Sequence, residues 1–326
     1  MSNGKSGGKK ILPVIVALIF VVIGSIFGID VLDILENEEE TTQETLNTQA
    51  ESNQTAEGVL ILTMIDVGQA DSFLLEQNGM TALIDCGTRY DGDDIVKLLK
   101  EKEITKIDYL FGTHPHDDHM GGMQEVITSV EIGKIIIPDV EDGKATSNWY
   151  ENLMLELVRG NYDVEYSKEG AIYNLGDAKI SILTQFTEYE SSLNNYSAIM
   201  KVSFGEMDII MTGDAENIVE EKALKSGVNL DAEILKVGHH GSDTSSSEYF
   251  LDAISPEYAL ISVGLGNKYK HPIKSTMENL EEREIEVYRT DESGTVVVTI
   301  TSDSVSFSTD PDDYLDGITA EERYGK

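Results

Sequence analysis

Cysteine is nearly absent: the 326 residues contain one, Cys86. A lone thiol forms neither an intramolecular disulfide nor a Cys-rich zinc module, so any folded domain here must hold by its apolar core alone. Proline is scarce at 6 residues, no segment repeats, and the only low-complexity stretch is a short acidic one, which excludes collagen-like and solenoid architectures. Positive charge is scarce too. The 24 Lys and Arg stand against 60 Asp and Glu, a formal charge of −36. Long footprints on nucleic acid depend on many bases releasing counterions from phosphates, so a basic-groove nucleic-acid module is disfavoured. What is present is a hydrophobic fraction of 40%, sufficient for the core of one large domain or two small ones.

One uncharged run stands out, Ile11 to Ile29, preceded by Lys5, Lys9 and Lys10 and followed by Asp30, Asp33 and Glu36. Its length is close to the roughly 20 residues that span a bilayer as a helix. Bases before it and acids after it predict a cytoplasmic N-terminus and an extracellular remainder. The run exceeds an ordinary signal-peptide core and lacks a small-x-small cleavage site, which favours an uncleaved anchor. The expected organisation is therefore a short cytoplasmic segment (1–10), a transmembrane anchor (11–29), an acidic disordered linker (30–57), a folded domain (58–308) and an acidic tail (309–326), of which Tyr314 and Leu315 could dock locally. Between Asp30 and Glu57 there are 9 acids and no Lys or Arg, a composition that buries too little to fold.

Within 58–308, short β-rich runs alternate with amphipathic segments. Strands are expected from Val59, Ser72, Thr81, Ile107, Lys134, Ala178, Ser197, Met207, Ala232, Tyr258, Ile285 and Thr295, and helices after Asp91, His119, Ser147, Asp214, Ser245 and Ile273. So many strands with so few helices fit two sheets with helices outside better than one parallel sheet.

The chemistry concentrates in histidine. Five of the 6 histidines fall in two clusters, and the first, THPHDDH, sets His114, His116, Asp118 and His119 just after the apolar run IDYLFGT. Three imidazoles and a carboxylate so close together at a strand end supply N and O ligands that can serve two metals. Apolar strands ending in Gly-Asp (Asp214) or Gly-His-His (His239, His240) deliver further ligands to a sheet edge. If the strand before it continues through that pair, the two side chains point to opposite sides and one of them is the ligand.

THPHDDHMGG resembles the HxHxDH motif of the metallo-β-lactamase superfamily. DVGQADSFLL, LIDCGT, NNYS, MTGDAE, LKVGHHGSDTS, ISVG followed by N, Y and HP, and YRTDESG then occur in the order found in the soluble metallohydrolase domain of ComEC-type DNA-uptake proteins. The resemblance implies an α/β (α+β) αββα sandwich holding two divalent metal ions, Zn²⁺ or Mn²⁺. It implies His114 and His116 on one metal, Asp118, His119 and His239 on the other, and Asp214 bridging, with Asp118 and His240 beside the reacting groups. Many family members carry a further histidine between the motif and the bridging Asp. Here that region reads NNYS, with Asn194, Asn195 and Ser197, which leaves an Asn oxygen or a water to complete the first metal's ligands, and Ser197 beside the metals or substrate; more oxygen favours manganese. Asn194 is equally readable as a turn former.

Asp66 and Asp85 each follow an apolar strand and could orient the metal histidines; Asp66 could equally cap the turn before Gly68. Cys86 is expected to be buried rather than a ligand. His271, flanked by Lys268 and Lys270, could hold a phosphate or protonate a leaving oxygen. Together, the apolar run and the resemblance give the expectation of a membrane-anchored extracellular metallohydrolase acting on a phosphodiester, in nucleic acid or a surface phosphoester, with no obligate protein partner. The alternatives are a lactonase- or lactamase-type hydrolase and a non-catalytic surface-binding module.

Overall fold

A computed structural model describes residues 58–186 and 192–325. The expected cytoplasmic segment, anchor and linker lie outside them. Among the described residues no helix is long and apolar enough to cross a membrane.

The chain lays down β1 (Leu60–Met64), β2 (Phe73–Gln77), β3 (Met80–Ile84), β4 (Lys106–Phe111), β5 (Glu131–Ile137) and β6 (Val164–Tyr166) in one sheet. It then builds a second from β7 (Ile172–Leu175), β8 (Ala178–Thr184), β9 (Ile199–Phe204), β10 (Met207–Met211), β11 (Ile234–Lys236), β12 (Tyr258–Ile261) and β13 (Glu286–Arg289). Finally β14 (Val296–Ile300) and β15 (Val305–Phe307) return to the first. The sheet orders are β15-β14-β1-β2-β3-β4-β5-β6 and β13-β12-β11-β10-β9-β8-β7.

Alternation along each strand dictates the layers, because successive side chains leave opposite faces. Leu60, Leu62 and Met64 of β1 meet Ile209 and Met211 of β10 and Leu260 of β12 in one apolar layer between the sheets. Leu74, Leu83 and Leu110 point the other way, onto Ile95, Val96 and Leu99 of the helix Gly92–Glu101. On the second sheet Ile210, Leu235 and Ile261 face Val219 and Ala223 of the helix Asn217–Ser226 and Phe250 of Glu248–Ile254. Two sheets packed face to face, each covered outside by helices, make the expected αββα sandwich.

Every expected strand is present. The additional ones, β6, β7 and β15, are the edges of their sheets and only 3 or 4 residues long. Edge strands are commonly kept short and carry little hydrophobic pattern, which is why the sequence did not announce them. β11 is shorter than expected: it ends at Lys236, and Gly238–Gly241 is a 3-10 turn.

The expected acidic tail is instead part of the fold. The Arg289 side chain is fully buried, pairs with Asp291 and donates to the carbonyl of Leu315, while its backbone N–H donates to Asp312. A buried guanidinium needs such partners for all its donors. The helix Gly317–Tyr324 follows, capped by Asp316, which accepts from the Thr319 N–H at 2.8 Å.

Glu292 sits 3.1 Å from Arg289 but beside Asp312 and Asp291, and burial, opposed by Arg289, pushes its carboxyl up to about 7. A carboxyl raised in the folded state stabilises the fold below its ordinary value of 4.5 and loses that contribution as pH rises through about 7. Thermal melts of Glu292→Gln should therefore lack the part of the decline in Tm that the parent protein shows across that interval; identical pH profiles would refute the assignment.

Candidate metal centre

Both histidine clusters meet at one end of the sandwich, where β4, β10 and β11 finish. β4 ends at Phe111, and the chain turns through Thr113 so that His114 is buried and His116 half-buried. His114 Nε2 and His116 Nδ1 approach to 3.0 Å, so two ring nitrogens face one point. The short helix Asp117–Met120 then carries Asp118 and the fully buried His119. β10 ends at Met211, and a tight turn places Asp214 beneath them. Gly213 has φ 52°, and a Cβ there would lie 2.9 Å from Thr113 and 3.0 Å from Ser197, so the close approach of the turn to the β4 loop requires glycine. Ser197 Oγ accepts the Asp214 N–H at 3.0 Å, which is the part Ser197 plays here.

Asp214 lies at the centre. Its oxygens are 3.8 Å from His114 Nε2, 3.2 Å from His119 Nε2, 3.6 Å from His239 Nε2 and 3.8 Å from His240 Nε2. Two groupings of ligand atoms, each within 4.8 Å, are His114, His119 and Asp214, and Asp118, His119 and His240. His240, rather than His239, is thus gathered with Asp118 and His119. Strand alternation does not govern this pair, because both residues take left-handed backbone angles, φ 50° and 54°, in the turn after β11. His239 Nδ1 pairs with Thr244 Oγ1 at 3.1 Å, and its half-buried ring lines the pocket.

The donors fit a divalent cation. His119 Nε2, His240 Nε2 and Asp214 Oδ1 are buried without a hydrogen-bond partner, a costly arrangement unless another group binds there. The other nitrogen of each ring is committed: His119 Nδ1 is 2.8 Å from Asp85 Oδ2, and His240 Nδ1 is 2.8 Å from the Ser262 carbonyl. Carboxylate or carbonyl partners of this kind hold the proton on Nδ1 and turn the Nε2 lone pair towards a metal. Asp85 also accepts from the Thr113 N–H and hydroxyl, so it meets one of the site histidines, His119. Asp66 does not: it is exposed, and its carboxylate accepts the Gly68 N–H at 3.1 Å, the turn-capping alternative.

Electrostatics agree. Burial and the charge of His119 depress His114 well below its ordinary range. Burial would depress His119 and His240 too, but Asp214, joined by Asp85 at His119 and by Asp71 at His240, raises both. Burial and Asp214 oppose the ionisation of Asp118, but the hydrogen bond from His240 and the charges of His119 and His240 outweigh them and hold it below its usual range. The cluster therefore demands positive charge, which protons or metal cations can supply.

Two residues not anticipated from the sequence support this floor. Lys236, 1% exposed, forms an ion pair with Asp71 and donates to the Gly213 carbonyl at 2.9 Å. A lysine inside an otherwise apolar strand was the available signal, since such residues are buried only when paired. Asp71 lies in the same quoted motif as Asp66, one residue before the strand expected from Ser72.

The pocket above the cluster measures about 250 Å³ and is lined by Gln69, Asn194, Tyr269 and His271 besides the ligand candidates. Burial, followed by His239 and His240, holds His271 at about 4, so its imidazole is neutral at pH 7 and does not act as an imidazolium acid. Lys270 pairs with Glu321 of the C-terminal helix, and exposed Lys268 lies 4.7 Å over the Tyr269 ring. Cys86 is buried, as expected.

Residues 65–264 match the family model of the metallo-beta-lactamase superfamily, and the chain belongs to that superfamily. Within it, the chain is similar to competence proteins. It is 29% identical over 251 residues to ComE operon protein 3 of Bacillus subtilis (strain 168), covering 72% of this chain and 32% of that protein. With competence protein ComA of Neisseria gonorrhoeae it is 32% identical over 240 residues, covering 72% of this chain and 31% of that protein. The chain thus spans about a third of the length of these relatives. Among solved structures, the diiron β-hydroxylase CmlA from Streptomyces venezuelae superposes with a TM-score of 0.51 at 16% identity, over 74% of this chain and 54% of that one, a likeness of fold alone.

Removing Lys236 leaves Asp71 and Asp214 buried without their cation. Lys236→Met should cost about 3–5 kcal/mol in denaturant unfolding of the metal-free protein, the usual penalty for breaking a buried pair; a loss below about 1 kcal/mol would refute that support. Asp85→Asn should weaken metal binding about 10- to 100-fold by equilibrium dialysis, and unchanged affinity would show that Asp85 does not orient His119.

Proposed function

We propose that this chain is a metal-dependent phosphodiesterase, tethered to a cell membrane by residues 11–29 with its catalytic domain outside. The observation that carries the reading is the convergence of His119 Nε2, His240 Nε2 and Asp214 Oδ1, none with a hydrogen-bond partner, at a pocket that Asp214 and His240 line with other nitrogen and oxygen donors. His114, His116 and Asp214 would hold one divalent ion, and Asp118, His119, His240 and Asp214 the other. When bound, two such ions lower the pKa of water and neutralise charge developing on phosphoryl oxygens.

The chain's own groups set the rest. Asp85 and the Ser262 carbonyl keep the His119 and His240 rings in one tautomer. His271 Nδ1 lies 3.5 Å from the Gln69 amide nitrogen, a long contact that favours the tautomer with its proton on Nε2. A neutral Nε2–H donates a hydrogen bond to a substrate oxygen without giving up its proton. Tyr269 and Lys268 border the entrance and supply an aromatic face and one cation to a chain otherwise hostile to polyanions. Similarity to competence proteins supports nucleic acid as the source of the phosphodiester, while the charge of −36 limits the footprint to a few nucleotides.

The full chain in detergent should hydrolyse bis(p-nitrophenyl) phosphate with Mn²⁺ or Zn²⁺ and lose the activity on chelation. Asp118→Ala and Asp214→Ala should each abolish it while melting cooperatively. Retained turnover in either variant would sink the assignment, and hydrolysis of nitrocefin instead would transfer it to the lactamase-type alternative.

A further inference from the structure

The ligand candidates are spread unevenly around Asp214. Asp118, His119 and His240 gather as one group, whereas His114, whose Nε2 lies 3.0 Å from His116 Nδ1, is gathered only with His119 and Asp214. Of the pocket-lining residues among those described, three carry a buried polar atom with no hydrogen-bond partner: Asp214, His240 and Asn194. The first two are ligand candidates by their chemistry. Asn194 Oδ1 shares their condition, in a residue only 7% exposed.

The orientation of this amide is not arbitrary. Asn194 Nδ2 donates to Glu216 Oε1 at 3.0 Å, and a carboxylate only accepts, so the nitrogen must be the atom that faces Glu216 and the oxygen the atom that faces away. Glu216 is itself fixed by Asn195 Nδ2 at 3.2 Å and by the Ser192 hydroxyl at 3.2 Å. Ser192 also accepts the Asn194 N–H, which locks the 3-10 turn Leu193–Tyr196 that carries both asparagines. Glu216 lies two residues after Asp214, so one loop positions the central carboxylate and the clamp on Asn194. A turn former needs only its backbone contact to Ser192; it does not need a buried carbonyl oxygen left unpaired, which costs about 1–3 kcal/mol.

We propose that Asn194 Oδ1 completes the ligand set on the His114 and His116 side as a neutral oxygen donor, with Glu216 as the positioning residue that fixes which end of the amide is offered. Each side of the centre then presents two imidazole nitrogens and two oxygens, counting Asp214 on both. Oxygen in place of a third imidazole shifts that side from Zn²⁺ towards Mn²⁺. The proposal rests on the site holding metal but not on the identity of the substrate.

The test is metal binding by the full chain, with Mn²⁺ and Zn²⁺ measured separately by equilibrium dialysis and with melts of the metal-free protein as a control for folding. Two equivalents are expected in the parent. Asn194→Ala should weaken one of them about tenfold or more and leave the other unchanged; Glu216→Gln should give a smaller loss of the same equivalent. Asn194→His should raise the ratio of Zn²⁺ to Mn²⁺ affinity about tenfold for that equivalent, a change that loss of turn structure would not produce. Affinities within about threefold of the parent in Asn194→Ala would overturn the proposal. If Asn194→Ala does not fold, Asn194→Asp keeps the oxygen and decides: folded protein with one equivalent weakened overturns the proposal, and retained binding supports it. A parent chain that binds neither metal would overturn the reading of the whole centre, a different outcome from selective indifference to Asn194.

Discussion

Asp214 is a carboxylate with almost no access to water, surrounded by four imidazoles and one ammonium group. Burying such a charge costs several kcal/mol unless its surroundings return it. Much of the local architecture follows from this. Gly213 lets the turn sit against Thr113, Ser197 fixes its N–H, and Lys236 reaches through the end of β11 to the turn carbonyl and to Asp71. The inter-sheet apolar layer, which includes Phe111 at the end of β4 and Met211 at the end of β10, sets the separation of these strands, from whose ends the two halves of the centre project. The clustered histidines and carboxylates are therefore tolerable only together, which explains why so much chemistry is compressed into one end of the sandwich.

The layers were legible because their cause is local. Apolar residues two apart in β1, β10 and β12 reveal a face, and the spacing of Ile95 and Leu99 reveals a stripe. The THPHDDH cluster was legible because consecutive residues stay close in space. Relations between distant segments were not. Asp66 and Asp71 look alike in the sequence, and only the path of the chain between β1 and β2 decides that Asp71 meets Lys236 while Asp66 caps a turn. The pair His239 and His240 misled for a related reason: alternation is a rule for extended chain, and positive φ at both residues suspends it. The order after Ser308 was hidden in Arg289, whose buried guanidinium gives that acidic segment its attachment.

Charge divides the molecule's tasks. A surface this acidic contributes no long-range attraction for phosphates, so a substrate of the proposed kind would be recognised by contacts at the pocket itself. With Lys270 engaged by Glu321, Lys268 is the cation that remains beside Tyr269. Specificity built on so few groups depends on how rigidly they are held. Asn267 supplies that rigidity: its amide accepts the N–H groups of Tyr269 and His271 and donates to the carbonyls of Gly264 and His271.

The C-terminal helix leans on the same loop. Gly317 packs so close to the His271 carbonyl that a Cβ there would lie 2.1 Å from it, and its N–H donates to the Pro272 carbonyl at 2.8 Å. The stretch that matches the superfamily model ends at residue 264, so Tyr269, His271 and the helix that braces their loop lie beyond it, while Gln69 and Asn194 of the same pocket lie within it. A substitution in the C-terminal helix can thus reach the pocket through the His271 loop without touching any of the ligand candidates, all of which precede residue 241.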